Sequence, residues 1–230
     1  MNSFSIILTQ LKKLLQVALV FSFITSVLNA QQSPQLLNSS QLNVKSPDYN
    51  KIIIDSDYTL EEALQGITIP ASIKNKLDLV TVNYYGYDGL LHQGQMIVDK
   101  TIKEDITEIF KLIEKIKFPV EKVVPIAEYN WSDDKSMLEN NTSSFNYRFV
   151  SGAKILSMHA RGMAIDINPK QNPYVKNGMS SPAGSHYEIN TIGTIGPESQ
   201  LVKAFKKRGW IWGGEWKNLK DYQHFEKKLK

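Results

Sequence analysis

The sequence predicts an α+β fold, a single domain with a small antiparallel sheet flanked by helices. A hairpin pattern covers residues 77–99, an amphipathic helix follows at 100–118, and a second helix at 199–209 precedes short aromatic, strand-like segments. Helices and hairpins mixed in this way indicate an α+β domain rather than a doubly wound sheet. With 230 residues, 42% hydrophobic and 22% charged, the chain has the composition of an ordinary globular protein.

Local signals justify the first two elements. Thr59 and Glu62 have the spacing of a capping box, and Gly66 ends the short helix that they predict. In "LDLVTVNYYGYDGLLHQGQMIVD", Asp88-Gly89 is a hairpin signal between two strands. The N-terminal half of the domain is therefore expected to begin with a helix and a hairpin.

The clearest helix is "KTIKEDITEIFKLIEKIKF", in which isoleucines and Phe110 recur on one face. We expect Pro119 to end it and residues 120–129 ("VEKVVPIAEY") to form a strand. A second amphipathic helix, "SQLVKAFKKRG", should end at Gly209. Beyond it, Gly213-Gly214 and "KNLKD" separate strand-like segments.

The N-terminus has the layout of a secretory signal peptide, residues 1–30, with cleavage near Ala30. Lys12 and Lys13 precede an uncharged run that is short for a membrane span, although a membrane anchor is the alternative. Residues 31–50 are rich in Gln, Ser, Asn and Pro and are predicted to be a mobile linker. Cleavage would leave 25 basic side chains (27 less two) against 23 acidic ones, so nucleic acid is not an expected partner.

The chain has no cysteine, which excludes disulfides, thiol catalysis and cysteine zinc sites. Asp166 lies between isoleucines in "AIDIN", where a buried carboxylate needs a compensating charge. His159 and His224 would complete an open zinc set of two imidazoles and a carboxylate, provided that Gly162 lets a loop carrying His159 fold back. An ion pair of Asp166 with Arg148 or Arg161 is the alternative.

At this point the sequence resembles a known family. "SMHARGMAID" followed by "DYQHF" fits the S-x-H-x-x-G-x-A-x-D and [ED]-x-x-H motifs of the zinc D-alanyl-D-alanine carboxypeptidases and L-alanyl-D-glutamate endopeptidases, the VanY-like peptidoglycan peptidases. The resemblance is strongest over residues 145–226, and residues 84–98 are similar to the N-terminal part of the endopeptidase-type members. It implies the hedgehog/D,D-peptidase fold.

The resemblance implies roles for five residues. His159, Asp166 and His224 match the metal ligands, so one Zn²⁺ per chain is expected. Asp221 matches the acid/base position, where members with dipeptidase activity have glutamate, and Arg148 resembles the arginine that stabilises the oxyanion. Zinc activates water, a carboxylate transfers protons and a guanidinium stabilises negative charge, so this set is chemically coherent.

Other residues have competing interpretations. Ser157 and Arg161 are candidate substrate-binding residues, against loop capping for the first and simple surface exposure for the second. Trp210, Trp212 and Trp216 fit core packing better than a substrate groove. His92 and His186 match no ligand spacing.

The expected protein is an exported zinc metallopeptidase, secreted or periplasmic, whose partners are peptidoglycan stem peptides and which keeps no membrane anchor after cleavage. Residues 51–142 would form the N-terminal part of the domain and residues 143–230 the zinc peptidase region. The alternative is a catalytically idle, zinc-containing cell-wall binding module on the same fold. A glycosidase using Glu215 and Asp221 would leave the histidines unexplained.

Overall fold

A computed structural model describes residues 51–228 of the chain. The signal peptide predicted at 1–30 and the linker predicted at 31–50 lie outside these residues. Within residues 51–228, every helix is too short or too polar to cross a lipid bilayer. The described residues combine helices with small sheets, which confirms the α+β class.

The first sheet contains the predicted hairpin. Strands β2 (Leu77–Tyr85) and β3 (Leu91–Asp99) pair antiparallel along their full length. Gly89 lies in the connecting turn with φ +77°, a conformation that glycine adopts without steric cost. Strand β1 (Ile53–Ile54) joins the other side of β3 in parallel, so this sheet is mixed rather than purely antiparallel.

A short helix, α1 (Leu60–Ala63), lies between β1 and β2. The Thr59 side chain accepts from the Glu62 N–H, and the Glu62 carboxylate accepts from the Thr59 N–H, which confirms the predicted capping box. A second single-turn helix, α2 (Ala71–Lys74), follows. The sequence analysis did not predict α2, since its four residues carry no side-chain cap.

The amphipathic helix α3 (Lys103–Lys115) packs against β2 and against α5 (Gln200–Lys207). Its apolar face is buried as predicted, through Ile106, Ile109, Phe110 and Ile113. Helix α5 begins at the Ser199 cap and its chain turns at Gly209, where φ is +82°. Together these helices and the hairpin form the main core, to which Trp210 and Trp212 also belong.

The prediction of a strand at residues 120–129 is wrong. The N–H of Val123 donates to the Tyr84 hydroxyl at 3.0 Å, and that of Val124 to Asn141 Oδ1 at 3.0 Å. Because these N–H groups bond to side chains, the segment does not form a strand ladder, and Ile126–Tyr129 closes into a 3-10 turn.

Helix α4 (Asp133–Leu138), which the sequence analysis did not predict, follows this turn. Ser132 caps it by accepting from the Lys135 N–H, and two acidic residues occupy its first turn. Its six residues are too few for a clear apolar periodicity, which explains why the pattern was missed.

Two further small sheets complete the C-terminal part. Their strands are β4 (Ala164–Asp166), β5 (Tyr174–Lys176), β6 (Met179–Ser181), β7 (Ile211–Trp212), β8 (Lys220–Asp221) and β9 (His224–Glu226). One sheet has the order β4-β9-β7 and the other β6-β5-β8. The single small sheet of the prediction is therefore three small sheets, and all six strands of the two C-terminal sheets are only two or three residues long.

Candidate metal centre

Three elements bring His159, Asp166 and His224 together. Strands β4 and β9 pair antiparallel with Asp166 directly opposite His224, so their side chains share a face. His159 lies in the 3-10 turn that precedes β4. All three side chains are buried, with 3–6% of each residue exposed.

Gly162 makes the fold-back of His159 possible. Its φ is +66°, and a Cβ at this position would lie 2.6 Å from the backbone nitrogen of Asp99. The chain can therefore reverse here only with a residue that has no side chain. The sequence prediction that Gly162 brings His159 beside the strand of Asp166 is confirmed by this geometry.

The three donor groups form a nearly equilateral triangle. His159 Nε2 and His224 Nδ1 are 3.1 Å apart, and they lie 3.2 and 3.0 Å from the two carboxylate oxygens of Asp166. The other nitrogen of each ring has its own acceptor: His159 Nδ1 donates to the Ser144 carbonyl at 2.6 Å, and His224 Nε2 donates to the Glu226 carboxylate at 3.3 Å. In neutral rings, both nitrogens that face the centre are therefore lone pairs.

This geometry fits a zinc ion. Tetrahedral ligands at 2.0–2.1 Å from zinc lie about 3.3 Å from one another, close to the separations observed here. Two lone pairs and a carboxylate that converge in a buried site repel one another unless a cation or a proton lies between them. The acceptors Ser144 and Glu226 fix the ring tautomers, as the outer partners of metal-bound histidines do.

The rival interpretation, an Asp166–arginine ion pair, is not what the structure shows. Arg148 pairs with Asp133 instead, at 3.0 Å from Nη2 to Oδ2. Arg161 is exposed and lines a cavity with Asp99 and Met163. Among residues 51–228, the salt-bridge partners of Asp166 are the two histidines.

The charged groups of the centre shift one another's pKa values. Burial raises the pKa of Asp166, but the charge and hydrogen bonds of His159 and His224 outweigh it and hold that pKa well below its usual range. Burial lowers the pKa of His224, but hydrogen bonds to Asp166 and Glu226 raise it to about 10. Without a metal ion, a proton on His224 would therefore partly balance the carboxylates.

Asp221 lies at the edge of the same centre. Burial raises its pKa to about 6, opposed by the charge of His224 and reinforced by that of Asp166. Its Oδ1 atom is buried and has no hydrogen-bond partner within the described residues. Gly213 packs against it so closely that a Cβ there would lie 2.6 Å from the Asp221 carbonyl oxygen. The unpartnered oxygen leaves Asp221 free to accept a proton.

Arg148 lies beside the turn of His159 rather than in the donor triangle. Its carbonyl accepts from the Ser157 N–H at 3.0 Å, two residues before His159. Asp133 on α4 holds its Nη2, while the buried Nε has no partner within residues 51–228. Its role towards the oxyanion remains a prediction.

The remaining candidates occupy separate surroundings. Ser157 Oγ accepts from the His159 N–H at 3.2 Å, the capping arrangement considered as its alternative role. The cavity that Arg161 lines is not lined by His159, Asp166 or His224. His92 lies between Asp55 and Asp88, and exposed His186 lines a surface cavity with Lys170. Substrate binding by Ser157 and Arg161 remains a prediction.

The sequence analysis missed two residues that contact His224. Glu226 accepts from its Nε2, and this contact was foreseeable because residues two apart in a strand point to the same face. Trp216 is only half-buried and its ring centroid lies 5.3 Å from that of the imidazole, unlike the buried Trp210 and Trp212. No sequence signal distinguishes Trp216 from its two neighbours.

Comparison with known proteins finds a match in the segment that contains the candidate metal centre. Residues 151–227, about a third of the chain, match the family model described as D-alanyl-D-alanine carboxypeptidase. No curated protein and no solved structure matches the chain. The matched segment contains the three donors and Asp221, whereas Arg148 precedes it. The segment that holds the candidate metal centre is thus similar to the D-alanyl-D-alanine carboxypeptidases, the family that the two motifs resemble.

Proposed function

We propose that the protein is an exported zinc metallopeptidase that hydrolyses peptide bonds in peptidoglycan stem peptides. The observation that supports this most directly is the buried triangle of His159, Asp166 and His224, in which both ring tautomers present lone pairs to one point. This triangle lies in the segment that matches the carboxypeptidase family.

The charges in the centre favour a divalent cation. Asp166 is buried, Asp221 is half-buried with its Oδ1 atom shielded from solvent, and Glu226 adds a third carboxylate beside His224. One proton on an imidazole cannot balance two or three carboxylates, whereas a divalent ion offsets two of them. Held by the three donors, zinc would supply Lewis acidity that activates water near neutral pH.

The protein's own side chains would then handle the protons and the charge. Asp221, whose Oδ1 has no partner, would accept the proton of the attacking water and deliver it to the leaving amine. Arg148 cannot lose its charge at ordinary pH, so its guanidinium would stabilise the developing oxyanion. Asp133 would hold that guanidinium in place.

The bond that is cut belongs to one of two types, the L-alanyl-D-glutamate bond or the terminal D-alanyl-D-alanine bond. Digestion of purified peptidoglycan, followed by mass spectrometry of the released peptides, tests the proposal and identifies the bond. New termini at either bond, abolished by a chelator and restored by zinc, would support it. Zinc-loaded protein that binds peptidoglycan but releases no peptide would instead support the binding module.

Export is a further part of the proposal. A cell-wall peptidase acts outside the cytoplasm, and the sequence of residues 1–30 has the layout of a signal peptide. The secreted or periplasmic protein should begin within a few residues of Gln31, which N-terminal sequencing would show. Recovery of the intact N-terminus from the membrane fraction would indicate an anchor.

A further inference from the structure

We propose that the protein has a second ligand site, a cationic cavity that binds the phosphate group of an anionic ligand. The cavity has a volume of about 500 Å³ and is bordered by the end of α5, the residues after β9 and the turn before α3. Four of its lining residues are cationic and none is acidic: Lys207, Arg208, Lys227 and Lys228. The metal-centre residues do not line it.

The tertiary structure assembles this cavity from two basic runs. "KAFKKRG" (203–209) ends helix α5, and "EKK" (226–228) leaves strand β9, about twenty residues later. The backbone N–H of Lys227 donates to the Met163 carbonyl at 2.9 Å, which fixes the second run beside the cavity. Met163 lines the cavity too.

Two of the cations are held in place by one acid. Asp105 on α3 accepts from Lys227 Nζ at 2.6 Å and from Trp210 Nε1 at 2.8 Å, and lies 4.0 Å from Arg208 Nε. Lys207 and Lys228 are exposed and make no salt bridge within the described residues. Counting only the lining residues and their salt-bridge partner Asp105, four cations less one carboxylate leave an excess of three positive charges.

Helix electrostatics explain only part of this arrangement. Cations at the C-terminal end of α5 interact favourably with the helix dipole, which accounts for Lys207 and Arg208. Lys227 and Lys228 come from a different element, and bringing them to the same cavity adds like-charge repulsion. A cavity of this volume is about 10 Å across, comparable with the Debye length of about 8 Å at physiological salt, so the repulsion is not fully screened.

A phosphate group suits the excess charge better than a single carboxylate does. It carries up to two charges, and its oxygens accept from both guanidinium and ammonium donors. The volume is within the range of small-molecule sites, so a phosphate together with the group that it esterifies can enter. The phosphate could belong to a soluble ester or to a lipid headgroup.

The test is an NMR titration of the zinc-loaded protein with inorganic phosphate. We expect saturable amide shifts at residues 207–209 and 227–228, separate from any shifts around His224. The double variant Lys207→Gln/Lys228→Gln should weaken binding by about tenfold, since it removes two of the four cationic side chains that line the cavity. Both lysines are exposed, so folding should be unaffected.

The matched control is Lys203→Gln/Lys206→Gln. It removes the same number of positive charges, both from helix α5, but these lysines pair with Glu198 and Glu215 and do not line the cavity. The control should bind phosphate within about twofold of the original protein. Absence of saturable shifts, or equal weakening by both double variants, would overturn the proposal.

Co-sedimentation with phosphatidylglycerol vesicles separates the two sources of phosphate. Vesicle binding that is lost in Lys207→Gln/Lys228→Gln assigns the cavity to a lipid headgroup. Localised phosphate shifts without vesicle binding assign it to a soluble phosphate ester. Either result supports the cavity as the phosphate site, and each is independent of peptidase activity.

Discussion

Nε2 of His159 and Nδ1 of His224 lie 3.1 Å apart in the protein interior, and the other nitrogen of each ring donates to a separate acceptor. Two imidazoles held in this way face each other with lone pairs. Their common neighbour is the carboxylate of Asp166, which adds negative charge instead of a proton donor. These three residues could hold a cation, which leads to the first prediction.

His224→Ala should remove zinc together with activity. The protein should contain about one zinc per chain, and the variant should bind zinc at least 100-fold more weakly, since loss of even an outer partner of a ligand weakens metal binding 10–100-fold. Elemental analysis after dialysis measures the zinc that the original protein and the variant each retain. The control His186→Ala changes an exposed histidine outside the centre and should keep its zinc. Stoichiometric zinc in His224→Ala would refute the ligand assignment.

Glu226→Ala should weaken zinc binding without removing a ligand. The Glu226 carboxylate accepts from His224 Nε2, so its loss frees the imidazole to change tautomer and orientation. We expect zinc affinity to fall about 10–100-fold, measured by competition with a chelating dye. Glu226→Gln retains an acceptor oxygen, so its zinc affinity should lie between that of Glu226→Ala and that of the original protein. Unchanged affinity in Glu226→Ala would show that the contact does not support the metal ligand.

Asp221→Asn should separate catalysis from metal binding. Asparagine has nearly the same size but cannot accept the proton, so turnover of a stem peptide should fall about 100-fold or more. Zinc content should be unchanged, and stability should stay within about 1 kcal/mol. Steady-state kinetics and thermal unfolding are the measurements. Hydrolysis at nearly the original rate would exclude Asp221 as the acid/base.

Asp133→Asn should reduce turnover through Arg148. Asp133 accepts from Arg148 Nη2 at 3.0 Å and from Asn146 Nδ2 at 3.1 Å, so the neutral side chain would hold the guanidinium less firmly. We expect kcat to fall about tenfold, against about 100-fold or more for Arg148→Ala, which removes an oxyanion donor. Zinc content should be normal in both.

The neighbouring Asp134→Asn is the matched control, because Asp134 is exposed and makes no salt bridge within the described residues. Its kcat should be unchanged. The double variant Asp133→Asn/Arg148→Ala should be no slower than Arg148→Ala alone if Asp133 acts through the arginine. A further tenfold loss in the double variant would mean that Asp133 acts independently.

His92 should give the protein a pH-dependent contribution to stability. Burial lowers its pKa, but hydrogen bonds to Asp55 and Asp88 outweigh this and raise it above the ordinary value. A group whose pKa is raised by folding makes its full contribution to the stability of the folded protein below its unfolded pKa, which is about 6.5 for histidine. That contribution disappears as the pH rises through the folded pKa. His92→Gln should therefore destabilise more at pH 5.5 than at pH 9.

Urea unfolding of His92→Gln and of the original protein at both pH values measures this difference. The partner Asp88 has a lowered pKa, so its share is present above about pH 4 and does not change the sign within this range. A stability difference that is the same at pH 5.5 and pH 9 would show that His92 is not charged between the two acids.

The three residues of the candidate metal centre were predictable from the sequence because each lies in a short motif with a strong local signal. Asp166 stands in an apolar run where its charge needs a partner, and Gly162 permits the turn that returns His159 to it. The capping box of Thr59, the hairpin turn at Gly89 and the apolar face of α3 are equally local, since each depends on residues within a few positions of one another.

The sequence alone therefore determined the α+β class, the main helices and hairpin, and which three residues form the candidate metal centre. Only the tertiary structure decided the rest. In the folded protein the N–H groups of Val123 and Val124 bond to side chains, so residues 120–129 do not form a strand. Arg148 pairs with Asp133, which lies on a helix fifteen residues away. The fold also brings Lys207 and Lys228 to one cavity. Local propensity depends on neighbours along the chain, whereas these contacts depend on which distant segments the packed core brings within a few ångströms.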